Sequence, residues 1–329
     1  MPYPIERKLV IAVSSSAVFD MAEANTVFET EGEEAYRQYQ RKRLDEPFTQ
    51  GVAFQFIKRL LGLNSVWKDE EPVQVVVLSR NDPDSGRRFF RSCANYKLDI
   101  TRGVFLSGKS PHPYVPAFNA SLFLSATQAD VQAAIHAGLP AGLVIPTSAK
   151  DDDADKELRI AFDFDGVIAD DEAETVYRKQ DLEHFQDSER RKSTQPHNPG
   201  PLKDLITKIS FFQKLEAKRV KQVPGYKPLL RIAIVTARNA PAHERLITTL
   251  NDWKISAAET FFMGGIEKGR VLSVLKPHIF FDDQLGHLIP TAASVPSVHI
   301  PFGIANRAAA ASRATLESAG TVDGVRVGI

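Results

Sequence analysis

Carboxylates at the ends of apolar runs are the residues in this chain best placed to do chemistry. In Arg159-Ile160-Ala161-Phe162-Asp163-Phe164-Asp165-Gly166-Val167-Ile168, a buried-strand pattern ends in two aspartates one residue apart, and Gly166 lets the chain turn at once. Alternation along a strand predicts that Asp163 and Asp165 point the same way, where they repel unless a cation or a shared proton intervenes. Further polar groups follow apolar runs in the same half: Thr236 after 230–235, Lys268 opening the helix after 260–263, and Asp282-Asp283 after 278–281. In a parallel sheet such ends share the edge at which ligands bind. Carboxylates converging there need a cation, and Asp163, Asp165, Asp282 and Asp283 are hard oxygen donors that favour Mg2+.

Such a site can move a phosphoryl group through a carboxylate nucleophile and an aspartyl-phosphate. Asp163, nearest the strand, is the nucleophile in this reading. Asp165 protonates the leaving oxygen and then activates water. Thr236 donates to a phosphoryl oxygen and Lys268 neutralises developing charge. Asp282 and Asp283 hold the metal directly or through water. Singly, each residue has a plainer explanation: an acidic turn, a strand-end threonine, a solvated helix lysine, a helix cap. Their shared order, each at or just after a strand end, favours one site.

The elements that must position these groups alternate strand and helix, which predicts an α/β fold with a parallel sheet and helices on both faces. In the first half strands are expected at 8–13, 73–78, 103–106, 121–124 and 143–145, and helices at 31–43, 50–61, 84–96 and 128–137, the last capped by Thr127. In the second half strands fall at 159–164, 230–235, 260–263, 278–281 and 297–300. Helices are expected at 268–275 and at 241–253, with Leu246, Ile247, Leu250 and Trp253 facing inward. The polar stretch 170–222 holds two helical pieces around a proline-rich loop at 193–201. A polar link at 150–157 divides the chain into domains at 1–150 and 151–329. Its Asp151-Asp152-Asp153 run lacks the turn glycine and closing glutamate of a calcium loop and reads as solvated linker.

Bulk properties exclude several classes. The 329 residues carry 41 basic and 41 acidic side chains, which argues against a nucleic-acid groove or a membrane surface as the main partner. No apolar run reaches the ~20 residues of a membrane span, and the N-terminus lacks the long apolar core expected of a secretory signal. Cys93 is the only cysteine, so no internal disulfide forms; it reads as a packing residue, and a reducing cytoplasm is expected. The 308–329 tail, rich in alanine and then glycine-containing, is expected to fray.

The two halves repeat one pattern. Ile11-Ala12-Val13-Ser14-Ser15-Ser16 aligns with Ile160-Ala161-Phe162-Asp163-Phe164-Asp165, and Thr26-Val27-Phe28 aligns with Thr175-Val176-Tyr177 at the same offset. Ser79-Arg80-Asn81 matches Ala237-Arg238-Asn239, and Leu122-Phe123-Leu124-Ser125-Ala126 matches Ile279-Phe280-Phe281-Asp282-Asp283. Where the second half has Asp163, Asp165, Lys268 and Asp282, the first has Ser14, Ser16, Pro111 and Ser125. One site is expected, in the second half. The first half is left as a packing partner or oligomer surface, with Ser14-Ser15-Ser16 and Ser79-Arg80-Asn81 as a candidate anion seat.

Phe162-Asp163-Phe164-Asp165-Gly166-Val167, Val235-Thr236-Ala237-Arg238, Lys268 and Phe281-Asp282-Asp283 resemble the four motifs of the haloacid-dehalogenase-like superfamily, most of whose members are Mg2+-dependent phosphatases. Asp45-Glu46-Pro47, Leu78-Ser79-Arg80-Asn81, Pro116-Ala117-Phe118, Ala240-Pro241-Ala242-His243-Glu244-Arg245 and Phe281-Asp282-Asp283-Gln284 extend the resemblance, over nearly the whole chain, to the cytosolic type I 5′-nucleotidase family. The resemblance implies hydrolysis of nucleoside 5′-monophosphates to nucleoside and phosphate. It also implies a helical cap at about 170–228 that excludes water and reads the leaving group, with Tyr177 and Phe185 as base-stacking or cap-core residues and 199–203 as a phosphate-approaching or plain loop. The family pattern at the nucleophile is Asp-Gly-Asp-Ala; this chain keeps both acids and changes their neighbours, so the preferred base is not read from it. Two rivals remain: a superfamily enzyme acting on a sugar phosphate or other small phosphate ester, and a non-catalytic nucleotide-binding protein. Arg238 and His243 lie beside the second motif, His243 on an exposed helix face.

Overall fold

The computed structural model describes residues 5–67, 72–152, 154–257 and 259–307. The first four residues, Asp153 and the 308–329 tail lie outside the described residues. The first half runs β1 (Leu9–Val13), α1 (Ser15–Val18), β2 (Phe19–Asp20), α2 (Ala22–Glu31), α3 (Glu33–Lys42), β3 (Thr49–Gln50), α4 (Phe54–Gly62), β4 (Val73–Ser79), α5 (Pro83–Asn95), β5 (Arg102–Phe105), β6 (Leu122–Ser125), α6 (Gln128–His136) and β7 (Ala141–Ile145). The second runs β8 (Leu158–Phe162), α7 (Glu172–Lys179), α8 (Leu182–Arg191), α9 (Lys203–Gln222), β9 (Leu230–Thr236), α10 (His243–Asp252), β10 (Glu259–Phe262), α11 (Gly269–Leu275), β11 (Ile279–Asp282), α12 (Leu285–Ala292) and β12 (Ser297–His299).

Ten of these strands form one sheet in the order β10-β9-β8-β11-β12-β7-β6-β1-β4-β5. Each half is parallel within itself and has the same internal order, with its first strand central. The halves meet through an antiparallel pair, β12 on β7, with Val298 opposite Val144. The C-terminal strand ends of the two halves therefore face opposite edges of the sheet.

Strand alternation sorts the core. Leu9, Ile11 and Val13 join Phe162, Phe281 and Ile160 in one buried cluster that spans both halves on one face. Val10 and Ala12 enter a separate cluster on the other face, and Ala161 and Phe280 enter a third. The two halves interlock on the shared face. α4 packs on β4 and also on β8, while α9 packs on β9 and also on β1. Phe56 of α4 meets the ring of Phe281 with centroids 6.4 Å apart, and Phe281 stacks on Phe162 at 5.1 Å. Cys93 is buried among these residues, and burial pushes its thiol up to about 12.

The helical pieces keep the offset between Ser14 and Asp163. Phe54 begins α4 as Lys203 begins α9, and the β2–β3 ribbon at Asp20 and Gln50 corresponds to the bridge between Ala169 and Pro199.

Several expectations are corrected. The 170–222 stretch holds three helices, and α9 lies on the sheet because Leu205, Ile206, Ile209 and Phe212 make an apolar stripe along it. α7 packs on α8, and α8 on α10. Thr127 occupies the N-cap position of α6 without a side-chain cap bond; its own N–H donates to Ser125 Oγ at 3.1 Å. In α10, Leu246 and Leu250 share the buried face, while Ile247, about 100° further round the helix, is 44% exposed.

Gly142 sits where the halves meet. A Cβ there would lie 2.4 Å from Val298 Cγ1 and 3.0 Å from Ile300 Cδ1, and the branched Val298 has little room to yield. Replacement Gly142→Val is expected to lower the unfolding free energy by about 1–3 kcal/mol in urea denaturation; an unchanged midpoint and slope would show that the β7–β12 junction tolerates the extra volume.

Candidate active site

The site begins where β8 leaves the sheet. Asp163 donates its N–H to Phe281 O on the neighbouring β11 at 2.7 Å, so the end of β8 is held level with Asp282. Asp163 Oδ1 accepts from Phe164 N at 2.7 Å, which starts the turn. Gly166 follows with φ +71°, and a Cβ there would fall 2.6 Å from Asp283 Oδ2. Glycine is thus required twice, for the left-handed backbone and for the close approach of Asp283.

Lys268, just before α11, closes the other side. Its Nζ lies 2.7 Å from Asp163 Oδ2 and 2.7 Å from Asp282 Oδ2. All three residues are buried. Asp282 Oδ1 accepts from Gln284 N at 2.8 Å, and His287 Nδ1 lies 3.1 Å from Asp282 Oδ2. Thr236 is buried at the end of β9, where its Oγ1 accepts from Arg238 N at 3.2 Å.

More negative charge gathers here than Lys268 balances. Burial pushes the Asp163 carboxyl up, and repulsion from Asp282 and Asp165 adds to this against the pull of Lys268. Asp283 rises well above the usual carboxylate range through burial and the charges of Asp163 and Asp282. For Asp282 the same burial is outweighed by Lys268 and His287, which hold it below that range. Burial alone would lower the Lys268 ammonium; Asp163 and Asp282 more than offset it and hold it charged. Asp283 Oδ1 is buried and finds no hydrogen-bond partner. One ligand atom each from Asp163, Asp282 and His287 lies within 4.8 Å of the others. An orphaned buried oxygen beside repelling carboxylates is a donor set that fits a hard divalent cation.

Asp165 does not join this group. β8 ends at Phe162, so strand alternation does not reach the two acids, and the turn at 164–168 gives Asp165 a different cationic partner. Its carboxylate is gripped by Arg238, with Nε on Oδ2 at 2.7 Å and Nη2 on Oδ1 at 2.7 Å. Thus Asp163, Lys268, Asp282 and Asp283 are brought together, Thr236 stands at the adjoining strand end, and Asp165 faces a second, buried ion network.

That network links the turn after β8, α7, α8, the loop at His197, the segment after β9 and α10. Arg238 Nη1 also holds Glu189 of α8 and donates to Ala242 O at 3.1 Å. Glu189 Oε1 accepts from Arg245 of α10 at 2.8 Å, and Arg245 reaches Glu172 of α7 at 2.9 Å. His197 places Nε2 2.9 Å from Arg238 Nη2 and Nδ1 2.9 Å from Thr249 Oγ1. Sequence reasoning missed Glu189, His197, Arg245 and His287. No motif marks Glu189, His197 or His287; Arg245 stood in the 240–245 stretch of the family resemblance without a role, and Arg238 stood out by its place beside Thr236. His243 is half-buried, not on an exposed face, and packs edge-on against Phe262 with centroids 5.7 Å apart.

Among the described residues the first half carries no such cluster. Ser15 Oγ donates to Ser79 Oγ at 2.9 Å, and Ser14 Oγ lies 3.2 Å from Ser16 Oγ. Arg80 is engaged two-pronged by Asp130 at 2.8 and 2.7 Å, so the candidate anion seat has its cation already neutralised. A cavity of about 1150 Å³ does open on this edge, lined by Ser16, Ala126, Thr147, Arg159 and His278. It lies across the sheet from Asp163 and is not the seat of the chemistry proposed for the acids. Among the described residues no helix is long and apolar enough to cross a membrane.

Comparison with known proteins adds an independent line. A family described as 5′-nucleotidase matches residues 1–307. The chain is similar to cytosolic 5′-nucleotidase 1B of Homo sapiens, with 31% identity over 296 residues, covering 87% of this chain and 48% of that protein. It therefore spans about half the length of that curated relative. A solved histidinol dehydrogenase from Elizabethkingia anophelis aligns over 88% of this chain and 79% of its own, at 9% identity and a TM-score of 0.20.

Glu189 sets an acid limit on the network. Burial would raise its carboxyl, but His197 and Arg238 pull it down to about 2, from an ordinary 4.5. A depressed carboxylate contributes stability above its unfolded value and loses it as pH falls toward the folded one. Glu189→Gln is expected to cost about 3–5 kcal/mol at neutral pH by leaving two buried guanidinium groups undercompensated. The gap from the natural protein should narrow as pH drops from 4.5 toward 2. Urea unfolding at stepped pH measures it; a gap independent of pH would mean that the Glu189 charge does not hold the network.

Proposed function

The chain belongs to the 5′-nucleotidase family, and from that premise we propose that its second half, 151–329, hydrolyses nucleoside 5′-monophosphates to nucleoside and inorganic phosphate. The observation that carries the reading is Lys268 held 2.7 Å from both Asp163 and Asp282 at adjacent strand ends, with Asp283 Oδ1 unpaired beside them. The haloacid-dehalogenase-like arrangement, with 1–150 as a half of the same pattern without catalytic acids, is part of this proposal. So is a cap, proposed as α7 and α8 because α9 packs on the sheet.

In the proposed reaction an Asp163 carboxylate oxygen attacks the phosphorus. The bond to the sugar O5′ breaks, its electron pair goes to O5′, and Asp165 supplies the proton that makes it a hydroxyl. Water then attacks the aspartyl-phosphate, gives a proton back to Asp165, and releases phosphate and free Asp163. Lys268 orients Asp163 and offsets charge developing on the phosphoryl oxygens, and the Thr236 hydroxyl donates to one of them. Asp163, Asp282 and Asp283 would hold Mg2+, which when bound neutralises charge on the phosphoryl group. The human relative is by name cytosolic, and a cytosolic location is proposed for this chain with it.

Phosphate release from a panel of nucleoside monophosphates and sugar phosphates, with and without Mg2+, tests the reading. Nucleotides should be preferred by a wide margin, and chelation should abolish turnover. Preference for a sugar phosphate would overturn the substrate. Asp163→Asn should keep the fold and lose about three orders of magnitude or more in kcat; unchanged turnover would overturn the mechanism.

A further inference from the structure

Arg238 is the buried charge that the proposed reaction leaves without a task. Its side chain is 2% exposed, and every face is occupied. Nε and Nη2 grip the two oxygens of Asp165 at 2.7 Å each, Nη1 holds Glu189, and Nη2 also meets His197 Nε2 at 2.9 Å. The guanidinium carbon lies 5.3 Å from the ring centre of Phe164 and 5.6 Å from that of Phe185. A fork of this kind accepts a carboxylate in one plane, so the grip sets the orientation of Asp165 and not merely its charge. Without it, an aspartate on a turn with 19% of its side chain exposed would exchange among rotamers. The remaining arm of the fork, Nη1, runs to α8. Glu189 belongs to α8 and, through Arg245, is joined to Glu172 of α7.

We infer that Arg238 is a positioning residue that aims the Asp165 carboxyl at the leaving oxygen, and that Glu189 makes this aim depend on how α7 and α8 are seated over the site. The inference rests on the reading of Asp165 as proton donor. It assigns a task to a cluster that otherwise looks like a structural ion pair. Lysine could not replace Arg238, because a single ammonium cannot hold two carboxylate oxygens and Glu189 in one rigid plane.

The leaving group separates positioning from general damage. A sugar O5′ must receive a proton as its bond to phosphorus breaks, whereas nitrophenolate departs as a stable anion. Single-turnover release of nucleoside from a nucleoside 5′-monophosphate, and of nitrophenol from p-nitrophenyl phosphate, reads this step before water enters. Arg238→Gln should slow nucleoside release about a hundredfold and nitrophenol release only a few fold. Asp165→Asn should show the same selectivity, and the double variant should be no slower than Asp165→Asn alone. Glu189→Gln should show the same selectivity to a lesser degree. Arg238→Lys keeps the charge without the fork and carries the test if Arg238→Gln does not fold; it too should slow nucleoside release selectively. Equal losses on both substrates in whichever Arg238 variant folds, or additive losses in the double variant, overturn the inference. A natural protein that releases neither leaving group overturns the nucleotidase reading, a separate result.

Discussion

The second half is organised around one electrostatic constraint, the confinement of three buried carboxylates beside a single buried ammonium. Taking such charges out of water costs several kcal/mol each unless partners meet them in good geometry. Lys268 supplies that geometry for Asp163 and Asp282, at 2.7 Å from each. The arrangement is possible only because β8 and β11 are neighbours whose ends are level, as the bond from Asp163 N to Phe281 O requires. Beneath it, the stacked rings of Phe162 and Phe281 fill the sheet face against α4. Asp283 is left over, and a buried carboxylate oxygen without a partner is a local deficit that a bound cation would relieve.

The antiparallel meeting of β12 and β7 decides why the same topology, used twice, bears one cluster of acids. It turns the C-terminal strand ends of the first half away from those of the second. No residue at the ends of β1, β4 and β6 can therefore reach Asp163. Freed from that task, those ends close on themselves. Serine hydroxyls pair across Ser15 and Ser79, and Arg80 is consumed by Asp130. The first half contributes instead through packing: α4 covers β8, and β1 receives α9.

What was legible in the sequence follows from which signals are local. Strand alternation and the polar residues at strand ends are short-range patterns, and β1, β4, β6, β8, β9 and β11 lie within a residue or two of their expected places. The α9 stripe of Leu205, Ile206, Ile209 and Phe212 was there to be read, but the 170–222 stretch is polar on average and hides it. The Arg238 network had no such signal. Its partners lie 73, 49 and 41 residues away, at Asp165, Glu189 and His197, and nothing in their spacing announces that they share one guanidinium.

The pair Asp163 and Asp165 shows the limit of a strand rule most clearly. Alternation makes two acids one residue apart seem to act as a couple, and if β8 continued they would crowd one cation. The strand stops at Phe162, and the turn that follows gives each acid its own cationic partner: Lys268 for Asp163, Arg238 for Asp165. In the proposed reaction this separation has a chemical consequence. A nucleophile must stay ionised and aligned with phosphorus, while a proton donor must exchange its proton during the cycle; two carboxylates competing for one proton could not be set independently. On the proposed roles, dividing them between the buried Lys268 ammonium and a guanidinium shared with α8 ties the first acid to the sheet and the second to α8.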